Sequence, residues 1–206
     1  NDQLCTIPGD VYFDENMRRI PCGNLLRKGK NRIVLARSEL APHCELAPIW
    51  LMGEFSLAPQ DAGFTVTCSR ALELGDIGKQ GMPLYRGSVS YHATLSVLRS
   101  STQLQLTEWL WEGVCIRIAI DGVPVGRVWR RHDTVMIDRE LSAGNHDLLL
   151  TVVGDMGNCM GPHHCSYEVL SRAVYDREAY GRNPIPGRDY RTMPHGLNRL
   201  PRVLCQ

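Results

Sequence analysis

The chain has 206 residues, 43% of them hydrophobic, which is enough for one large domain or two small ones with packed cores. Lys and Arg number 23 and Asp and Glu 22, and this balance argues against a nucleic-acid-binding protein, which has a basic excess or a basic stripe. No apolar run approaches the roughly 18–20 residues that cross a bilayer, so we expect no membrane partner.

Short apolar segments recur with Gly, Pro, Asn and Asp between them, which is the pattern of an all-β sandwich. In the clearest segment, Val114–Ile120, every second residue from Val114 is apolar, and Asp121-Gly122 predicts a hairpin turn after it. One helix is predicted, Tyr167–Ala179. In chain order, the predicted strands are Arg32–Ala36, Ile49–Phe55, Phe64–Cys68, Ser88–Val97, Leu104–Leu106, Val114–Ile120, Val123–Trp129, Thr134–Ile137 and Asp147–Val153.

A weak internal repeat relates Leu26–Leu35 to Leu141–Leu150. Each copy contains a Gly and an Asn that suit a tight turn, Gly29 and Gly144 being the glycines, and each then enters an apolar run. The second copy follows a long stretch of strand pattern and the first only a short one. We therefore expect the first sandwich to lack its front strands and the chain to be a fragment. Two ordinary turns are the alternative.

Eight cysteines are spread at wide, irregular intervals. An even number is compatible with disulfides, but these spacings in a chain of this size favour reduced thiols and a reducing compartment such as the cytoplasm. Cys68 and Cys115 lie in apolar runs, where a free thiol behaves as a small hydrophobic group.

Residues 80–91 read Q-G-M-P-L-Y-R-G-S-V-S-Y. They resemble the opening of a C-terminal β-sandwich in large bacterial glycoside hydrolases of the α-L-rhamnosidase-like and glycoside hydrolase family 2-like groups. No single motif is specific, and the resemblance depends on the order and spacing of several. The further matching segments are 49–55 upstream and, downstream, 111–114, 120–126, 141–150, the Gly-Pro-His-His of 161–164, and 190–197.

This resemblance implies a fold and a role. Residues 76–206 would form a galactose-binding-like jelly roll with a C-terminal tail, preceded in residues 1–75 by the C-terminal remnant of a first β-sandwich. In such proteins the catalytic carboxylates belong to a separate upstream domain. We therefore expect a non-catalytic accessory region of a glycoside hydrolase acting on plant or microbial polysaccharide, with carbohydrate and the upstream catalytic domain of the same polypeptide as partners.

Carbohydrate-binding candidates are the residues able to stack on a sugar ring or hydrogen-bond its hydroxyls. Trp109 and Trp129 are predicted to be exposed, whereas Trp111 stands at a strand start where core packing is the alternative. Glu112 is a candidate for sugar hydroxyls, with a solvated or inter-domain charge as the alternative. His163 completes the set.

A metal site is the alternative interpretation of Cys159, His163, His164 and Cys165. Zinc prefers four ligands in a tetrahedral array, but adjacent residues are hard to aim at one ion, and the family resemblance explains the histidines as loop-pinning groups. We therefore predict no metal ligands. A structural Ca²⁺ ion is the remaining cofactor alternative by analogy with related jelly rolls, although the sequence has no clear acidic loop for it.

The functional alternatives are a freestanding lectin-like sugar-binding module and a purely structural domain without a ligand. The first predicts sugar affinity in this chain alone. The second predicts no affinity and an apolar face exposed when the partner domain is missing. No local nucleophile signature and no phosphate-binding Gly-rich loop point to catalysis by the chain itself.

Overall fold

The computed structural model describes residues 1–5, 9–12, 14–36, 49–160, 190 and 192–205. They belong to two compact units, Asn1–Leu51 and Met52–Gln206. The assignment of 1–75 and 76–206 to two successive sandwiches stays a prediction. Within the described ranges, no helix has both the length and the apolar character needed to span a membrane.

The first unit contains an antiparallel hairpin of β1 (Asp10–Tyr12) and β2 (Asp14–Arg19). A 3-10 turn follows at Gly23–Leu25. The side chain of Asn31 closes the next turn, because it accepts a 2.9 Å hydrogen bond from the backbone N–H of Arg27 and donates a 2.7 Å bond to the carbonyl of the same residue.

The predicted strand Arg32–Ala36 is wrong: its residues have no strand structure. Ile33, Val34 and Leu35 are 60%, 64% and 56% exposed, and in the described part of the chain no strand pairs with them. Of the predicted repeat, Gly29 and Gly144 both have positive φ, 94° and 138°. Only the second turn leads into a strand, because only there does a neighbouring strand supply backbone partners.

In the described part of the second unit, nearly all regular secondary structure is strand. Strand β3 begins only at Phe55, so most of the predicted strand Ile49–Phe55 is wrong, and the exposed Ile49 and Trp50 precede it. A 3-10 turn at Ile77–Gln80 and one α-helical turn, α1 (Gly157–Met160), are described, and the predicted helix Tyr167–Ala179 lies outside the described residues. The strands are β3 (Phe55–Pro59), β4 (Phe64–Cys68), β5 (Val89–Val97), β6 (Ser101–Thr107), β7 (Leu110–Glu112), β8 (Cys115–Ile120), β9 (Val123–Val128), β10 (Val135–Leu141), β11 (Gly144–Val153), β12 (Gly196–Arg199) and β13 (Arg202–Cys205).

Two antiparallel sheets form the body of this unit. Sheet A has the strand order β5-β11-β8-β9 and sheet B the order β10-β6-β13. Apart from the β8–β9 hairpin, the chain crosses from one sheet to the other between successive strands of these sheets, which is the connectivity of a jelly roll. The short pairs β7–β12 and β3–β4 complete the strands. The predicted all-β, jelly-roll sandwich is confirmed.

Alternation along the strands builds the core between the two sheets. In β8, Ile116, Ile118 and Ile120 are at most 1% exposed, and Leu104 and Leu106 of β6 face them from sheet B at 0%. Val114 was predicted to share the inner face but is 45% exposed, because the strand begins only at Cys115, one residue later. The remaining buried apolar residues of this core are Leu95, Val97, Trp109, Trp111, Val128, Val135, Ile137, Leu141, Leu148, Leu150, Val152 and Leu197.

The predicted Asp121-Gly122 hairpin is confirmed. Both residues have positive φ, 50° and 77°, which the mirror-image hairpin turn requires. The cysteines at positions 5, 22, 68, 115 and 159 are free thiols.

Candidate functional site at one end of the jelly roll

Four strand ends of sheet A lie at the same end of the jelly roll, which we call the rim. Here β5 and β8 begin, and β9 and β11 end. Because paired residues lie side by side, the segments that flank these strand ends, 85–88, 112–114, 129–133 and 154–158, share one edge of the sandwich. The pairs that establish this are Val89 with Val152, Val153 with Cys115, and Ile116 with Val128.

A small cleft of about 110 Å³ opens at the rim. It is large enough for a few waters or for part of a sugar ring rather than for a drug-sized ligand, whose pockets measure about 300–1,000 Å³. Its lining is mostly polar and comes from four separate segments of the chain: Tyr85, Glu112, Gly113, Asp155, Asn158, Met193, Pro194 and His195.

The wall of the cleft is held by hydrogen bonds between distant segments. The side chain of Asn158 pairs doubly with the backbone of Met193, accepting from its N–H and donating to its carbonyl, each at 2.7 Å. The carboxylate of Asp155 accepts a 2.7 Å bond from the N–H of Gly157, which fixes the turn before α1. At Gly113, φ is +151° and an added Cβ would lie 2.8 Å from Val152, so the approach of β7 to the cleft requires glycine.

His195 lines the cleft immediately before the start of β12. It is 7% exposed, and its Nε2 has no hydrogen-bond partner among the described residues. Its backbone N–H donates to Asp76 Oδ1 at 3.2 Å, and its carbonyl accepts from Ile77 at 2.8 Å. Burial lowers the pKa of the imidazole, outweighing the carboxylates of Asp155 and Asp76, which raise it. A neutral imidazole can exchange one hydrogen bond with a ligand hydroxyl.

The β9–β10 loop approaches the cleft from the side. Trp129 is 58% exposed. The backbone N–H groups of Trp129 and Arg130 both donate to Asp133 Oδ2 at 2.9 Å, and these bonds lower the pKa of Asp133. Arg131 forms an ion pair with Glu112, which ties the loop to the cleft wall. The loop is therefore held with one tryptophan ring facing solvent.

The structure separates the predicted site residues. Glu112 lines the cleft and Trp129 is exposed on the adjoining loop. The prediction that Trp109 is exposed is wrong: it lies between β6 and β7, is 4% exposed and packs in the core. Trp111, at 3%, has the core position given as its alternative, so neither buried ring is placed to stack on a ligand. His163 lies outside the described residues.

Sequence reasoning missed His195, Asp155, Tyr85 and Asn158. His195 lies between Pro194 and Gly196 of a quoted family motif, so the motif marked the segment without marking the histidine. Asn158 carried no local signal, because its role depends on a contact with Met193, 35 positions away.

No group of three or more His, Cys, Asp or Glu side chains able to hold a metal ion occurs within the described ranges. Cys159 is partly buried there as a free thiol. The other three members of the suspected zinc cluster, His163, His164 and Cys165, lie outside the described residues. The prediction of no metal therefore remains a prediction.

The chain has a partial likeness, at low sequence identity, to solved structures. No protein-family model matches the chain, and no curated protein matches it. Among solved structures, a GH2 β-galacturonidase from Eisenbergiella tayi bound to galacturonate is 19% identical with a TM-score of 0.31, over 47% of this chain and 17% of that one. A GH2 β-galacturonidase from the same organism bound to glycerol is 20% identical with a TM-score of 0.33, over 52% and 18%. The chain thus spans less than a fifth of each, and these likenesses do not identify its family.

Proposed function

We propose that this chain is a non-catalytic accessory region of a glycoside hydrolase acting on plant or microbial polysaccharide, and that its jelly roll holds carbohydrate at the rim. The observation that carries the proposal is the exposed Trp129 on the β9–β10 loop, whose Arg131 forms an ion pair with Glu112 of the polar cleft. The order of motifs that resembles the C-terminal sandwiches of large glycoside hydrolases supports the same role.

The chemistry of the rim suits a sugar. An indole ring stacks on the apolar face of a pyranose and contributes most when the ring is already held in place. Beside it, the carboxylates of Glu112 and Asp155 accept hydrogen bonds from hydroxyls, and the Asn158 side chain, committed to backbone groups, keeps the cleft wall rigid. The arrangement combines one aromatic platform with several hydroxyl-binding groups.

A bracing role is the second candidate, and one observation favours it. In the first unit, Ile33, Val34 and Leu35 are consecutive and each is more than half exposed. Consecutive exposed apolar residues are uncommon on a free surface and suit contact with another part of a larger protein. The partner in this proposal is the upstream catalytic domain of the same polypeptide.

The proposal is tested by titrating the ¹⁵N-labelled 206-residue chain with rhamnose, galactose and arabinose. Trp129→Phe assigns the indole signal of that residue. We expect the Trp129 signal to shift with at least one sugar while the buried Trp109 and Trp111 signals stay in place. Flat spectra at high millimolar sugar would refute carbohydrate binding and leave the bracing role.

A further inference from the structure

A row of polar side chains crosses the outer face of sheet A next to the rim. Thr151 of β11 lies opposite Ser90 of β5 on one side and opposite Arg117 of β8 on the other. Arg117 in turn lies opposite Arg127 of β9. All four side chains point away from the core, because the residues that alternate with them along β8, such as Ile116, are buried. The row therefore ends in two neighbouring guanidinium groups.

Among the residues that the structure describes, no carboxylate pairs with either of these two guanidinium groups. Neither forms a hydrogen bond or an ion pair with another residue that the structure describes. Like charges directly opposite each other across two strands are unfavourable, so the fold alone gives no reason for the pair. Arginine forks are suited to bidentate binding of carboxylate or phosphate groups.

The nearby carboxylates are engaged elsewhere. Along β11, the first acidic residue on the same face is Asp147, four residues or about 13 Å from Thr151, and it faces His92 Nδ1 at 3.6 Å. The row between them contains no acid: Leu149 pairs with His92 and Ala119. At the rim, Glu112 pairs with Arg131, and Asp133 accepts hydrogen bonds from two backbone N–H groups of the β9–β10 loop. Asp155 accepts one from the N–H of Gly157.

Trp129 extends this basic surface to the rim. It follows Arg127 by two residues, one position beyond the end of β9, and its side chain is exposed. Its exposed ring offers a stacking surface beside the two guanidinium groups. On the other side of these groups, the hydroxyls of Ser90 and Thr151 lie 3.0 Å apart.

We propose that the surface formed by Arg117, Arg127 and Trp129 binds a uronic acid residue of an acidic polysaccharide. Trp129 stacks on the sugar ring, the paired guanidinium groups hold the carboxylate, and the row through Thr151 extends toward the hydroxyls of a neighbouring sugar. This inference rests on the proposed carbohydrate-binding function and specifies its ligand class. Nucleic acid is the less suitable polyanion, because the numbers of basic and acidic residues in the chain nearly balance.

The test compares D-glucuronate with D-glucose, which differ only at C6, as ligands of the ¹⁵N-labelled 206-residue chain. We expect D-glucuronate to shift the Trp129 indole signal at lower concentration than D-glucose. Arg117→Gln and Arg127→Gln should each weaken D-glucuronate binding about tenfold and leave D-glucose binding unchanged, since each removes a charge-assisted contact. Arg99→Gln is the matched control, because Arg99 is exposed at the opposite end of sheet A.

The outcomes separate this inference from the proposed function. Equal binding of the two sugars, or D-glucuronate binding that survives both substitutions, overturns the acidic-sugar site and leaves carbohydrate binding intact. Absence of any sugar binding overturns both. Inorganic phosphate or acetate that reproduces the arginine-dependent shifts without moving Trp129 would indicate an anion site without sugar recognition, which also overturns the inference. Thermal unfolding of each variant verifies that it is folded.

Discussion

The imidazole of His146 lies with its Nδ1 2.7 Å from Oδ2 of Asp121, which joins the two turns at the end of sheet A opposite the rim. Its Nε2 lies 3.0 Å from the carbonyl of Ser142, so both ring nitrogens face acceptors. The other carboxylate oxygen of Asp121 accepts from the N–H of Asp147 at 3.0 Å. Only the protonated imidazole can donate both bonds, and this favours the charged form.

We call the contacts of His146 with Asp121 and Ser142 the clamp. They predict that the stability of the fold depends on pH. The bonds to Ser142 and Asp121 raise the pKa of His146, whereas the bonds from His146 and Asp147 lower the pKa of Asp121. The contribution of His146 to the free energy of unfolding is complete below its unfolded-state pKa, near 6.5. It is lost as pH rises through its folded-state pKa. The aspartate contribution is lost as pH falls through a value below its ordinary one. The clamp should therefore stabilise the fold most between about pH 4 and pH 6.5.

His146→Gln tests the clamp. We expect urea denaturation to show a larger loss of unfolding free energy, relative to the unmodified chain, at pH 5 than at pH 8. His92→Gln is the matched control, since its contact with Asp147 is longer, at 3.6 Å, and far more exposed. An equal loss at both pH values would contradict the account.

A second prediction concerns the hydroxyl of Tyr91, which accepts a 3.0 Å hydrogen bond from the N–H of the fully buried Leu197. Tyr91→Phe leaves that N–H without a partner, so we expect the free energy of unfolding to fall by about 1–3 kcal/mol. In the control, Tyr85→Phe, the lost bond is to the exposed carbonyl of Ser88, and the change should be near zero. Chemical denaturation measures both, and similar effects would refute a special role for the Tyr91 bond.

Gly196, where β12 begins, should not tolerate a side chain. Its φ is +130°, and an added Cβ would clash with the carbonyl oxygen of Gly75 and lie 2.9 Å from the Tyr91 hydroxyl. We expect Gly196→Ala to cost more than about 2 kcal/mol, since backbone strain and overlap add. At Gly122, φ is +77° but the space around an added Cβ is open. Gly122→Ala therefore measures the backbone strain alone, which we expect to lower the free energy of unfolding by about 1–2 kcal/mol. Equal losses in thermal unfolding would show that the clash is relieved.

A fourth prediction compares the effects of a buried and an exposed tryptophan on stability. Trp109 is buried in the core, so Trp109→Ala should lower the free energy of unfolding by about 3–5 kcal/mol. Trp129→Ala removes an exposed ring and should change it by less than about 0.5 kcal/mol. Urea denaturation monitored by circular dichroism distinguishes the two. A large loss for Trp129→Ala would mean that its ring is a structural contact.

The sequence was informative where a strand carries its own signal. Strands β5 and β8 alternate in hydrophobicity and an Asp-Gly turn joins β8 to β9, so period and turn chemistry agreed with the final register. Strand Phe64–Cys68 was predicted with its observed bounds. These elements are three of the four strands of sheet A and one strand of the β3–β4 hairpin, and with the family resemblance they were enough to predict the jelly roll.

The wrong predictions concern segments in which pairing with another strand, rather than the local sequence pattern, decides whether a strand forms. The apolar run at Ile33–Leu35 reads as a strand but lacks a paired neighbour within the described residues, whereas the short β12 and β13 are strands only because β7 and β6 supply partners. The site depends on the same kind of contact. His195 is fixed by Asp76, 119 residues away, which no local spacing reveals.

Affinity gel electrophoresis in soluble plant and microbial polysaccharides tests the central claim, carbohydrate binding through Trp129, most directly. The account predicts that the full chain is retarded by at least one polysaccharide, that Trp129→Ala removes the retardation, and that Trp50→Ala, which removes another partly exposed tryptophan, does not. Migration unaffected by every polysaccharide, or retardation that persists in Trp129→Ala, would contradict it.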